Sequence, residues 1–160
     1  RVVAGGASRQ ASVAAMLDTL PDDYSSVVLV HDAARPFVSV GLILRVVATA
    51  VGHEAASPAI AVADTLRRGD GDAFGATVDR DDLYRIQTPQ GFYLDVLRGA
   101  HAYADPYLPA TDDAGLAARA GFEVARVEGS TFNFKITTPD DWKLATALWP
   151  LWSSGDLQTD

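Results

Sequence analysis

Cysteine is absent from the 160 residues, which removes disulfides and thiolate metal sites from consideration. Histidine occurs only three times, too few for a multi-histidine metal site. No run of about 18 apolar residues is present, so no segment reads as a membrane span. The opening residues carry neither the charged start nor the apolar stretch of a secretory signal. With cysteine missing as well, a reducing cytoplasm is the expected setting. Gly-x-Ser-x-Gly, His-Glu-x-x-His and the Walker loop are all lacking, which leaves nucleophilic serine chemistry and zinc hydrolysis without support. Basic residues are in the minority: 13 Lys and Arg against 21 Asp and Glu give a net charge of −8. A general nucleic-acid binder needs a basic face, so that class is excluded. Any phosphate must be met locally, by a few placed cations and backbone N–H groups.

What is present suits one domain with a true core, since 48% of the residues are hydrophobic and 21% charged. Arg1 to Val3 read as the end of a strand, Gly5-Gly6 as a tight turn, and Val13, Met16, Leu17 and Leu20 have helical spacing. Val27 to Val30 read as a buried strand, Val40 to Val51 as an apolar helix, and "SPAIAVADT" as a second strand. Leu66–Arg68 and Ala76–Val78 flank "GDGDAFG", a hairpin signal with polar flanks, which predicts a projecting β-arm at about residues 65–86. "QTPQGF" leads into a helix from about Tyr93 to Tyr103. In "TDDAGLAARAG" Thr111 stands as the N-cap and Gly121 as the stop. "FEVARVEG" and "NFKIT" read as strands, and Thr138, Pro139, Asp140 and Asp141 open a final helix. Alternating strand and helix predict an α/β sandwich with a mostly parallel sheet over residues 1–152, followed by a linker-like tail, "SSGDLQTD".

Ligands of such sheets bind beyond the carboxyl ends of strands, where the polar clusters fall. "AGGASRQAS" is a glycine turn entering a helix, in which backbone N–H groups, Ser8 or Ser12 and Arg9 could meet an anion; a plain turn with a serine cap is the alternative. In "HDAARP", Asp32 ends a strand and can hold a divalent cation or a ribose hydroxyl, while Arg35 can grip a phosphate. Against this stands a simple Asp–Arg pair closing a loop. Arg80, beyond the arm, reads by itself as a solvated partner of Asp79, Asp81 or Asp82. Lys135 faces away from Phe134 and Ile136 by period-two alternation, toward a phosphate or merely toward solvent. Thr88 and Thr111 place hydroxyls at loop-to-helix junctions, where most threonines are caps.

Taken in order, "GGxxRxxSV", "VHDAARPFV", "DT", "TVDR", "QTPQGF", "TDDAG" and "FKITTPDD" resemble the 2-C-methyl-D-erythritol 4-phosphate cytidylyltransferases of the non-mevalonate isoprenoid pathway, from about Val3 to Leu148. The resemblance implies a Rossmann-like nucleotidyltransferase sandwich of three layers that moves CMP from CTP to methylerythritol phosphate with Mg²⁺, releasing pyrophosphate. It implies that Gly6, Ala7 and Ser12 contact CTP, that Asp32 and Ala33 lie at the ribose and reacting phosphates with Asp32 on the metal, and that Arg35 lies near the acceptor. Arg80 and Lys135 would position the acceptor phosphate, with Thr65, Thr88 and Thr111 around the same substrate and "QTPQGF" presenting Thr88. The arm would cross to a second subunit, making a homodimer in which Thr65 and Arg80 serve the neighbour's site. Family members also open with a Gly-rich loop bearing an Arg and a Lys, which has no counterpart here. The chain therefore reads as a piece of a longer protein, expected to be inactive alone, and its tail suits a linker to a cyclodiphosphate synthase. Another phosphorylated polyol such as ribitol 5-phosphate as acceptor, or a catalytically dead nucleotide-binding module, are the alternatives.

Overall fold

The aliphatic run Val27–Val30 forms strand β1, which pairs antiparallel with β6 (Gln90–Tyr93) in the computed structural model. The structure describes residues 1–105, 107–108 and 110–158. β6 pairs in turn with the start of β2 (Ala55–Ala61), also antiparallel. β5 (Tyr84–Ile86) follows along the same edge of β2 toward its other end, and β7 (Ala125–Glu128) lies parallel on the opposite edge. β1, β2 and β7 thus run one way, which is how the mostly parallel sheet is realised, and β5 and β6 run against them.

Small residues let helices approach both faces of this sheet. On one face α2 (Val40–His53) drives Leu42, Val46 and Ala50 against Ala56 and Val127. Its approach relies on Gly91, where a Cβ would stand 3.0 Å from Val46 and 3.3 Å from Ala50. On the other face α1 (Arg9–Leu17), α3 (Leu94–Ala102) and α4 (Asp113–Arg119) bury Leu17, Leu94, Leu97, Leu116 and Ala117 around Ala55 and Phe92. Ala55 and Ala56 are successive residues facing opposite layers, as strand pleating requires. Each such large apolar side chain contributes roughly 1.5–3 kcal/mol of burial, so the three layers hold one another. A third cluster forms where Phe37 meets Ala145 and Trp152 of α5 (Pro139–Ser154). That helix opens with a capping box: Thr138 Oγ1 accepts from Asp141 N, and the Asp141 carboxylate accepts from Thr138 N.

The arm is a separate two-stranded sheet, β3 (Leu66–Asp70) with β4 (Ala73–Val78), turned at Gly71 with a φ of +58°. Phe74 near its tip is 81% exposed.

Several local expectations change. Arg1–Val3 make no strand pairing among the described residues. "NFKIT" is not a strand: its one backbone–backbone bond to the body is Ile136 N to Ala34 O at 2.8 Å, and the Asn133 carbonyl is met by the Arg35 and Gln87 side chains instead of a neighbouring strand. β1 is half-buried rather than buried, with Leu29 37% exposed, since β6 is its sole partner among the described residues. Asp112, not Thr111, caps α4, its carboxylate accepting from Gly115 N at 2.8 Å. A carboxylate is the stronger acceptor at a helix start. At the other end α5 continues through Ser154 and stops at Gly155 with a φ of +93°, so the tail begins as helix. Residues 159 and 160 lie outside the described residues.

Candidate active site

β1 releases the chain at His31, and the next turn is closed by Arg35 N donating to Asp32 O at 2.9 Å. Two residues from distant loops fix this turn. Thr88 Oγ1 accepts from Asp32 N at 3.0 Å and bonds His31 Nδ1 at 3.0 Å, while His31 Nε2 meets Arg35 O at 3.1 Å. One arrangement satisfies all three: the Thr88 hydroxyl donates to Nδ1, and Nε2–H donates to the Arg35 carbonyl. Arg35 itself is tied down by donating to Asn133 O at 2.8 Å, and Asn133 Nδ2 donates to Thr88 O at 2.8 Å.

"QTPQGF" is therefore a buried polar staple. Gln87 Nε2 donates to Ser130 O and Gln87 Oε1 accepts from Ser130 N, so one side chain holds both main-chain polar groups of Ser130. Gln90 Oε1 accepts from Asp113 N and Ala114 N at the start of α4, and its amide donates to Asp112 and Ser57. The Thr88–Pro89 peptide between them is cis. Such fully occupied buried amides fix the relative position of the loops they join.

The result is a gathering of cations on one carboxylate. Lys135 Nζ stands 3.0 Å from Asp32 Oδ2, Arg35 Nε 3.6 Å from the same oxygen, and Arg9 Nε 3.8 Å from Oδ1. Burial pushes the Asp32 carboxyl up, but Lys135, Arg9 and Arg35 together outweigh it and hold it below its ordinary range. Asp32 is thus a fixed anion inside a local excess of positive charge. Beside it opens a cavity of about 640 Å³ between α1 and β1, lined by Arg9, Ser12, His31 and Asp32 at its polar end and by residues such as Met16 and Leu29 beyond.

Among the described residues no group of three or more His, Asp or Glu could hold a metal ion unaided. Mg²⁺ commonly takes one or two carboxylates and draws the rest from substrate phosphates and water. A single carboxylate kept anionic at a strand end fits that requirement.

The expected site residues divide into three groups. Asp32, Arg35, Lys135 and Thr88 come together, although Thr88 is buried and its hydroxyl is spent on Asp32 and His31. Ala33 follows Asp32, exposed. Gly6, Ala7 and Ser12 form the second group: Ser12 Oγ accepts from Gly6 N at 3.0 Å and donates to Ser8 O at 2.9 Å, while Ser8 caps α1. Gly6 admits no side chain, since a Cβ would stand 2.4 Å from that of Ala11. The third group stays apart. Thr65 and Arg80 sit exposed at the root of the arm, and Thr111 is exposed before α4. Arg80 donates to the Ala63 carbonyl and makes no ion pair with Asp79, Asp81 or Asp82 among the described residues. Neither Thr65 nor Arg80 touches the Asp32 group within this chain.

Other participants escape a reading by motif. Asp113 is 1% exposed in its side chain, paired with Arg9 at 2.8 Å and with His101 at 2.9 Å. Gln87, Gln90 and Asn133 are likewise buried. The usable signal was polarity in unusual company: two glutamines around a proline beside an apolar strand.

The family model for 2-C-methyl-D-erythritol 4-phosphate cytidylyltransferase matches residues 1–149. A protein of that description from Salinibacter ruber is 55% identical over 160 residues, covering 99% of this chain and 67% of the relative. A bifunctional enzyme IspD/IspF from Dinoroseobacter shibae is 48% identical, covering 99% of this chain and 39% of that protein. Among solved structures, the crystal structure of the cytidylyltransferase from Thermus thermophilus superposes with a TM-score of 0.86 at 49% identity, over 92% of this chain and 72% of that one.

Proposed function

The chain belongs to the 2-C-methyl-D-erythritol 4-phosphate cytidylyltransferase family, and from that footing we propose how its residues serve the transfer of CMP from CTP to 2-C-methyl-D-erythritol 4-phosphate. An oxygen of the acceptor phosphate attacks the α-phosphorus of CTP. The new P–O bond forms as the bond to the β-phosphate oxygen breaks, and the electron pair leaves with pyrophosphate. No covalent nucleophile of the protein is needed, so its contribution is positioning and charge stabilisation.

The observation that carries the assignment of roles is the convergence of Lys135, Arg35 and Arg9, from three separate segments, on Asp32. Two anionic substrates must approach each other in this reaction, and a preorganised cationic cluster offsets their repulsion. Lys135, the most exposed of the three at 43%, can exchange Asp32 for an acceptor phosphate without burying a charge. Mg²⁺, held by Asp32 and the phosphates of the nucleotide, would neutralise charge at the reacting groups. The glycine turn braced by Ser12 presents backbone N–H groups at the head of α1 to the nucleotide.

Thr65 and Arg80 find their use in a second copy. We infer a homodimer in which the arm, with Phe74 exposed near its tip, crosses to the neighbouring subunit and carries these two residues to its site. Sedimentation of Phe74→Ser beside the parent chain tests this: the variant sediments as a monomer, and an unchanged dimer refutes the arm as the interface. No helix of the described residues is long and apolar enough to cross a membrane, and with no cysteine to oxidise, the cytoplasm is the setting we assign.

Pyrophosphate release from CTP, measured with and without Mg²⁺ and with methylerythritol phosphate or ribitol 5-phosphate as acceptor, tests the reading. Turnover confined to methylerythritol phosphate and Mg²⁺ supports it. Turnover with ribitol 5-phosphate alone would replace the acceptor, and silence with both, even after the Gly-rich opening segment of a family member is joined to the chain, would leave only a binding module.

A further inference from the structure

We propose that Arg9 is a further phosphate-binding residue of this site, and that Asp113 is the positioning residue that holds it there. Arg9 is the first residue of α1, and its guanidinium touches two carboxylates at once, Asp32 through Nε at 3.8 Å and Asp113 through Nη1 at 2.8 Å. Its guanidinium donates no directed hydrogen bond among the described residues. The side chain is 30% exposed and lines the cavity beside Ser12 and Asp32, the space a ligand would fill.

Asp113 is held in place on two sides. Its Oδ1 is occupied by His101 Nε2 at 2.9 Å, and its backbone N–H is anchored on Gln90 Oε1 at 3.1 Å. Its Oδ2 is buried and makes no directed hydrogen bond, which leaves it as the electrostatic partner of Arg9 alone. A carboxylate 1% exposed is a costly way to join two helices, because its charge must leave water. It is a suitable way to fix a guanidinium that lines a cavity. The charges agree: Arg9, Arg35 and Lys135 against Asp32 and Asp113 leave one positive charge over, in a chain whose net charge is −8. An anion completes that balance.

The inference rests on the cytidylyltransferase reading, and the test separates the two. CTP and, in parallel, inorganic pyrophosphate and methylerythritol phosphate are titrated calorimetrically into the full chain and into Arg9→Gln, Arg9→Lys, Asp113→Asn and the double variant Arg9→Gln/Asp113→Asn. KM and kcat are measured on the same set, each joined to the Gly-rich opening segment of a family member. Loss of one hydrogen bond to a charged group corresponds to about a 10- to 100-fold weakening, so Arg9→Gln raises the dissociation constant and KM by that factor with a smaller change in kcat. Arg9→Lys recovers part of the loss. Asp113→Asn weakens binding similarly, and the double variant is no worse than the poorer single one, because both act through one guanidinium. A rise for CTP and pyrophosphate places Arg9 on the nucleotide, and a rise for methylerythritol phosphate alone places it on the acceptor. Lower melting temperatures with unchanged binding overturn the proposal and make the pair a brace between helices, as do fully additive losses. Arg9→Gln decides the matter even where Asp113→Asn fails to fold, since Arg9 is partly exposed. If the chain joined to a family member's Gly-rich opening segment turns over neither acceptor, the enzymatic reading fails, while pyrophosphate binding still judges Arg9; no binding by the parent overturns both.

Discussion

Replacing Thr88 by valine removes one hydroxyl and almost nothing else, and it asks whether that hydroxyl serves the fold or the substrate. In the structure it accepts from Asp32 N and donates toward His31 Nδ1, each at 3.0 Å, with Thr88 itself 4% exposed. His31 is exposed and can recover a hydrogen bond from water. The Asp32 N–H is part-buried and cannot do so as easily. The loss is therefore set by one stranded backbone donor, about 1–3 kcal/mol, rather than by two lost bonds. With a urea dependence of about 1–3 kcal/mol/M for a domain of this size, the midpoint followed by circular dichroism falls by roughly 1 M. Thr88→Ser keeps the hydroxyl and recovers most of the loss. Because the same bond sets where Asp32 stands, Thr88→Val also lowers kcat. Unchanged stability together with a raised KM for methylerythritol phosphate would refute this reasoning, and would return the hydroxyl to the substrate.

Three further outcomes follow from the same geometry. Lys135→Met removes the closest cation from Asp32. Since Asp32 is held below its ordinary 3.8, the stabilisation is present above that pH and lost as pH falls through the folded value; the variant is less stable than the parent at pH 7 in urea titrations, and the difference closes in strong acid. An equal deficit at both pH values would contradict the pairing. Asp141 is held down to about 2 by the Thr137 and Thr138 N–H and hydroxyl groups, so Asp141→Asn lowers the melting temperature at neutral pH, with the deficit shrinking between the ordinary carboxylate range and about pH 2. Gly91→Val crowds Val46, Leu29 and Ala50, all within 3.3 Å of the position of its Cβ, and costs about 1–3 kcal/mol in denaturant titrations, whereas Gly91→Ala costs less because exposed Leu29 can yield.

The layers were legible because apolar spacing is a local property. The apolar run announces α2 and "GDGDAFG" the arm turn, but not which face of the helix is buried: Leu42 and Val46 pack inward with Ala50, while Leu44 and Val51 stand exposed. Asp32 was legible for a similar reason: a carboxylate directly after an aliphatic strand stands at the sheet's carboxyl end wherever the other strands fall. Partnership across the chain was not. Nothing near Arg9 shows that Asp113 lies against it, because that contact exists only once α1 and α4 pack beside α3. The partners of Thr88 were hidden for the same reason. As a hydroxyl beside a proline turn it reads as presented outward, whereas the folded turn points it inward at the Asp32 backbone. "NFKIT" has the alternation of a strand, yet Phe134 and Ile136 alternate into the Phe37 cluster without any neighbouring strand to pair with.

All three tryptophans of the chain, Trp142, Trp149 and Trp152, stand on α5. Trp152 meets Phe37 edge-on at 5.4 Å and Trp149 lies tilted against it at 6.2 Å. Phe37 is only two residues beyond Arg35, and Phe134, stacked on it at 5.3 Å, immediately precedes Lys135. The intrinsic emission of this protein is consequently a local optical signal rather than an average over the fold. Excitation at the indole band reads the aromatic floor beneath Arg35 and Lys135, so a ligand that draws these two cations together changes the emission with no label attached, while motion of the distant arm leaves it dark.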